Sequence, residues 1–210
     1  MKYIDLLEKV GDLPFFSTRF LAAGENLVQV RLQLARWVKA GRLIKLHKGF
    51  YTLAEPYRKI KPELYSIAKS LKSPSYVSLQ SALSWYGLIP EFVPSTTSIT
   101  TTRPQTIETP LGRFEYRHVR KSFFWGYKMI ELPEKQKVFL ADAEKALLDL
   151  VYLTTGGDKE EFLMELRLQN LDKLSKETLR KYAEKSGSPK LTRAVTKIEK
   201  ITTKGDGVEL

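Results

Sequence analysis

The chain has no cysteine and only two histidines, His47 and His118, in 210 residues. Without thiols there is neither a disulfide framework nor a thiolate zinc site, and a reducing cytoplasmic setting suits such a sequence. The two histidines lie in separate segments without ligand-like spacing, so no metal centre is expected. Long apolar runs are also missing. The stretch around Ala146 to Leu153 is interrupted by Asp149 and is too short to span a bilayer. Asp5 and Glu8 stand where a secretory leader would need apolar residues. Together these features predict a cytoplasmic protein with no membrane partner. Acids are scarce relative to bases, 24 against 35, which leaves a formal charge of +11. Such an excess favours a polyanionic partner, because Lys and Arg near phosphates release condensed counterions, although a merely soluble basic protein shows the same balance.

Motifs for catalysis are equally sparse. No phosphate-binding Gly-x-x-x-x-Gly-Lys-Ser/Thr loop and no Gly-x-Ser-x-Gly nucleophile elbow occurs. No lysine has an acid two positions before it, the spacing a restriction-type nuclease needs. The nearest approach to a metal-binding acid pair is Asp142-Ala143-Glu144, but it opens a helix without a preceding Gly-Ser, and acids there favour the helix dipole. The chain is expected to act without catalysis and without a cofactor.

What is present is concentrated at the N-terminus. Tyr3, Ile4, Leu6, Leu7 and Val10 recur at helical spacing, with Gly11 following as a left-handed stop. Ser17 can cap a second helix that ends before Gly24. Asn26 can cap a third, running to Ala40 with Gly41 as its C-terminal stop. On this third helix Leu27, Val30, Leu34, Trp37 and Val38 form one apolar stripe, and Val28, Leu32 and Ala35 a neighbouring one. The polar wedge left between them holds Gln29, Gln33 and Arg36. These project together, and Gln pairs well with adenine and Arg with guanine. The solvated side of any core helix would look similar; the following segment tips the balance. From Gly41 to Leu53 the chain alternates as a basic hairpin that turns at Gly49, with Lys45, His47 and Lys48 near its tip. Between Arg19 and Lys48 there are seven Lys or Arg and one acid, Glu25. The layout is that of a winged helix-turn-helix. It predicts Gln29, Gln33 and Arg36 on bases of double-stranded DNA and Arg31, Lys39, Lys45 and Lys48 on phosphates.

The fold expected is α+β, with this winged helix over 1–55 and a mixed α+β domain over 56–210, helical from about 155. Residues 55 to 62 read as a linker, and helices are expected over 63–72 and from Ser78 to Trp85. Strands are expected over 96–102, 111–119 and 123–132, followed by a helix over 141–153. Three more helices follow at 160–168, 175–184 and 188–201, with a frayed tail from Thr202 to Leu210. The last helix carries Lys190, Arg193, Lys197 and Lys200 opposite its apolar stripe, a cationic ridge suited to a nucleic acid or an acidic partner.

Several segments read together are similar to the AbiE-type antitoxins of abortive-infection toxin-antitoxin pairs. They are Gly41-Arg42-Leu43-Ile44-Lys45 with Lys48-Gly49-Phe50-Tyr51, Tyr76-Val77-Ser78-Leu79-Gln80-Ser81-Ala82-Leu83 with Tyr86-Gly87-Leu88-Ile89-Pro90, Thr109-Pro110-Leu111-Gly112, and Ala143-Glu144-Lys145-Ala146-Leu147-Leu148-Asp149. The resemblance implies a repressor that binds inverted repeats in its own promoter. It also implies a C-terminal domain that counteracts a nucleotidyltransferase-like toxin, directly or indirectly. The alternative is a stand-alone winged-helix transcription factor whose C-terminal domain senses a ligand or partner.

Overall fold

Helix α1 (Tyr3–Val10) buries Leu6 and Val10, one turn apart, and leaves its charged residues outside. A computed structural model of the chain describes the backbone of residues 1–205 and the side chains of residues 1–200. Gly11, expected in the left-handed region, is right-handed with φ −56°, so that expectation is corrected. Its N–H continues the helical ladder to the Leu7 carbonyl at 2.7 Å, and a Cβ there would lie 2.6 Å from that oxygen, which accounts for glycine at the position. Strand β1 (Phe16–Ser17) leads into α2 (Thr18–Leu21), capped by the Ser17 hydroxyl, which accepts from Phe20 N–H. Helix α3 (Leu27–Lys39) begins at Asn26, whose side chain accepts from the backbone of Val28 at 2.9 Å and Gln29 at 3.3 Å. Strands β2 (Leu43–His47) and β3 (Phe50–Leu53) follow, and an antiparallel sheet forms in the order β1-β3-β2.

The second body is built on a six-stranded mixed sheet. Its strands are β4 (Ser75–Val77), β5 (Ser95–Thr100), β6 (Gln105–Thr109), β7 (Gly112–His118), β8 (Tyr127–Glu131) and β9 (Lys137–Ala141), in the order β6-β7-β5-β4-β9-β8. Helix α4 (Leu64–Leu71) covers one face, where Tyr116 donates to the Ala68 carbonyl at 2.7 Å. Helices α5 (Leu79–Trp85) and α6 (Ala143–Leu153) cover the other, where Tyr76 donates to Asp149. The two tyrosines face opposite ways because they pair in register with Ser98 and Ile99, neighbours on β5. Helices α7 (Glu160–Glu165), α8 (Lys176–Ser186) and α9 (Pro189–Gly205) complete the chain, so the architecture is α+β. The last helix extends past residue 201. The expected frayed tail is therefore corrected as far as Gly205, and its remainder lies outside the described residues.

Apolar side chains form two clusters. The first joins Leu6, Val10, Val30, Leu34 and Trp37 to Leu43, Tyr51 and Leu53; the second fills both sides of the large sheet. The clusters meet at the β2–β3 hairpin. Leu46 belongs to the second cluster, and Ile44 and Phe50 pack against it, while their alternate neighbours serve the first.

Candidate nucleic-acid interface

Helix α3 buries one strip, Val30, Leu34 and Trp37, with Gln33 and Val38 half-buried on either side. The reverse of that strip runs through Val28, Leu32, Ala35 and Lys39, spaced i, i+4, i+7 and i+11, and all four are exposed. Val28 is 61% and Leu32 50% exposed, so the second apolar stripe does not pack on a core. Gln29 and Arg36 are exposed along one flank of this outward face, and Arg31 along the other. Of the expected polar wedge, Gln29 and Arg36 therefore face solvent, whereas Gln33 sits at the boundary of the core.

The hairpin is shorter in reach than a projecting wing. Strand pairing runs to His47↔Phe50, which leaves only Lys48 and Gly49 in the turn. The Gly49 carbonyl, at a residue with φ +78°, accepts from Thr18 N–H at 2.7 Å and from the Thr18 hydroxyl at 3.3 Å. The turn is thus tied to the start of α2. Lys45 and Lys48 are exposed, while His47 is half-buried. Burial, then the neighbouring Lys48 and Lys45, hold its imidazole below the usual histidine range.

Charge around this face is one-sided. Arg19, Arg31, Arg36, Lys39, Lys45 and Lys48 are all exposed, and none forms an ion pair among the described residues. The one acid between residues 13 and 54, Glu25, is engaged by Lys9 at 3.1 Å. Exposed cations without ion-pair partners raise the local positive potential, which attracts a polyanion through their summed field.

The C-terminal ridge behaves differently. Lys190 donates to the carbonyls of Tyr152 and Thr154 at the end of α6, at 3.1 and 2.5 Å. Arg193 pairs with Asp158 at 2.7 Å and holds that carboxyl below its usual range. Lys197 donates to the Asp158 carbonyl at 2.7 Å. Among the described residues Lys200, exposed at the outer end, makes no such contact. Three of the four ridge cations thus tether the 154–158 loop, whose free carbonyls need donors, while the Arg193 side chain stays 59% exposed.

The acid pair is also engaged. Asp142 meets Lys128 at 3.3 Å and accepts from Tyr182 at 3.0 Å, and Glu144, nearly buried, accepts from Ser175 N–H at 2.8 Å. To one cluster the sequence alone assigns no role. Lys145 and Asp149 on α6 are fully buried and paired. Asp149 accepts further from Ser78 at 2.7 Å and Tyr76 at 3.0 Å. Ser78, expected to cap α5, turns inward to this carboxylate instead. The Lys145 ammonium lies 4.0 Å from the Phe123 ring centre and 4.8 Å from that of Trp125. Gly126 (φ +75°) makes room, since a Cβ there would come within 2.9 Å of Lys145. The i, i+4 spacing of the pair was visible in the sequence, but its burial depends on residues some seventy positions away.

No family model matches the chain, and no curated protein matches it.

Proposed function

We propose that the N-terminal unit is a winged helix-turn-helix that binds double-stranded DNA, and that the protein represses transcription from its own promoter. One observation carries this reading: Arg31, Arg36 and Lys39 on the exposed side of α3, with Arg19, Lys45 and Lys48 on the flanking elements, have no ion-pair partner among the described residues, and Glu25, the one acid between residues 13 and 54, is engaged by Lys9. The element order helix, strand, helix, helix, hairpin supports it. In this reading Gln29 and Arg36 meet base edges, with Gln33 behind them, while Arg31, Lys39, Lys45 and Lys48 meet phosphates. Gel-shift titration against the DNA upstream of the gene, at several salt concentrations, is the test. A steep salt slope with retained preference for that DNA is expected. Arg36→Ala costs about 1–3 kcal/mol on the preferred duplex and relaxes one position, whereas Lys48→Ala weakens all duplexes alike and lowers the salt slope by about one. Equal losses on preferred and random DNA for Arg36→Ala refute the base-reading role.

The wider reading is an antitoxin, acting without catalysis, that counteracts a nucleotidyltransferase-like toxin. Its support is the similarity of segments 76–90, 109–112 and 143–149 to the AbiE-type antitoxins. Restored growth on coexpression with the neighbouring gene tests it. A second reading, a transcription factor with a sensing domain, is favoured by one feature. A groove of about 460 Å³ lies beside β5 and β7, lined by Leu79, Ile89, Phe92, Arg117 and Phe162. Growth unaffected by coexpression, with operator binding altered by a small molecule, would select it.

A further inference from the structure

We infer that Val28, Leu32 and Ala35 read the 5-methyl groups of thymine, making the helix selective for thymine at defined positions rather than only for hydrogen-bonding edges. The inference rests on the DNA-binding reading above and deepens it. Folding leaves Val28 and Leu32 61% and 50% exposed at the centre of the α3 outward face, where a merely solvated helix would carry polar residues. The strip is narrow and ringed by cations, with Arg31 on one side, Arg36 on the other and Lys39 at its end. That rim selects the occupant. A second copy seated on the strip would bring like charges together, whereas a duplex brings phosphates to the cations and presents methyl groups on the major-groove floor. The three apolar side chains step along the axis by about one helical turn each, on the order of 5 Å, so they reach different base pairs.

The test uses the full-length chain. Duplexes retained from a random-sequence pool define the preferred site, and each thymine in it is then replaced singly by uracil, which differs only in lacking the methyl. Loss of the methyl at one or more positions is expected to weaken binding about four-fold, the equivalent of about 0.8 kcal/mol for a buried methyl. Leu32→Ala or Val28→Ala binds the thymine duplex more weakly and becomes indifferent to uracil at its own position, with melting unchanged because the residues are exposed. Uracil duplexes bound as tightly as their parents, or a preferred site without thymine, would overturn the inference while leaving DNA binding intact. No retained duplex at all would overturn the DNA reading itself, and this inference with it. A wild-type dimer that Val28→Ser/Leu32→Ser converts to a monomer would assign the strip to a second copy instead.

Discussion

At the scale of single residues, the Lys145–Asp149 pair shows how far a polar contact can be hidden. Burial pushes the Asp149 carboxyl up and the Lys145 ammonium down, and their mutual attraction opposes both shifts. Removing one member leaves the other in a low-dielectric site without compensation. Asp149→Leu is expected to cost about 3–5 kcal/mol in urea unfolding, and Lys145→Met added to it to restore part of that loss. Strictly additive losses would mean that the two charges do not interact. In the sequence Asp149 reads only as an interruption of an apolar run. Nothing local signals that Tyr76 and Ser78 converge on it. Residues that carry the resemblance to antitoxins are thus ones that hold the large sheet to α6, which explains their type without assigning them a contact with a partner.

At the scale of elements, the cap and the glycine that bracket α3 were reliable guides, Gly11 and Ser78 were not, and the short strands were the least legible. Asn26 and Gly41 bracket α3 as expected, because a cap satisfies backbone donors locally and a φ of +69° favours glycine. Strand β4 has only three residues, β6 buries one side chain, Ile107, and β9 abuts α6, so none offers a full period-two pattern. Their identity comes from pairing partners distant in sequence. On α3 the two apolar stripes look alike on paper; packing chose Val30, Leu34 and Trp37 and left Val28 and Leu32 outside. Helix α9 makes the complementary point, since a cationic face need not be a free one. Lys190→Ala is expected to lower stability by about 1.5 kcal/mol through loss of its charged hydrogen bonds to the α6 carbonyls. It should leave the salt slope of DNA binding unchanged; a lower slope would return the ridge to the surface of contact.

At the scale of the whole molecule, the β2–β3 hairpin serves two cores at once. Leu43, Tyr51 and Leu53 face the N-terminal cluster, while Leu46, 2% exposed, is counted in the other. The two bodies therefore share a wall, and a single cooperative unfolding transition is expected. Leu46→Ala should destabilise by about 2–5 kcal/mol, and the larger change Leu46→Asp should split the transition in calorimetry. Two transitions in the unmodified protein would show that the shared wall does not couple them.

In the DNA-binding reading proposed above, the tethered Lys48–Gly49 turn also limits how much text the protein can scan. Held against Thr18, it would not stretch along a duplex, so in that reading discrimination falls to the exposed side of α3, a short stretch of helix that would span about four base pairs. A word of four base pairs recurs by chance about once in 250, while a genome presents on the order of a million or more competing positions. A lone copy has no unique address; two copies, on half-sites about one helical turn apart, are the least that so brief a vocabulary demands.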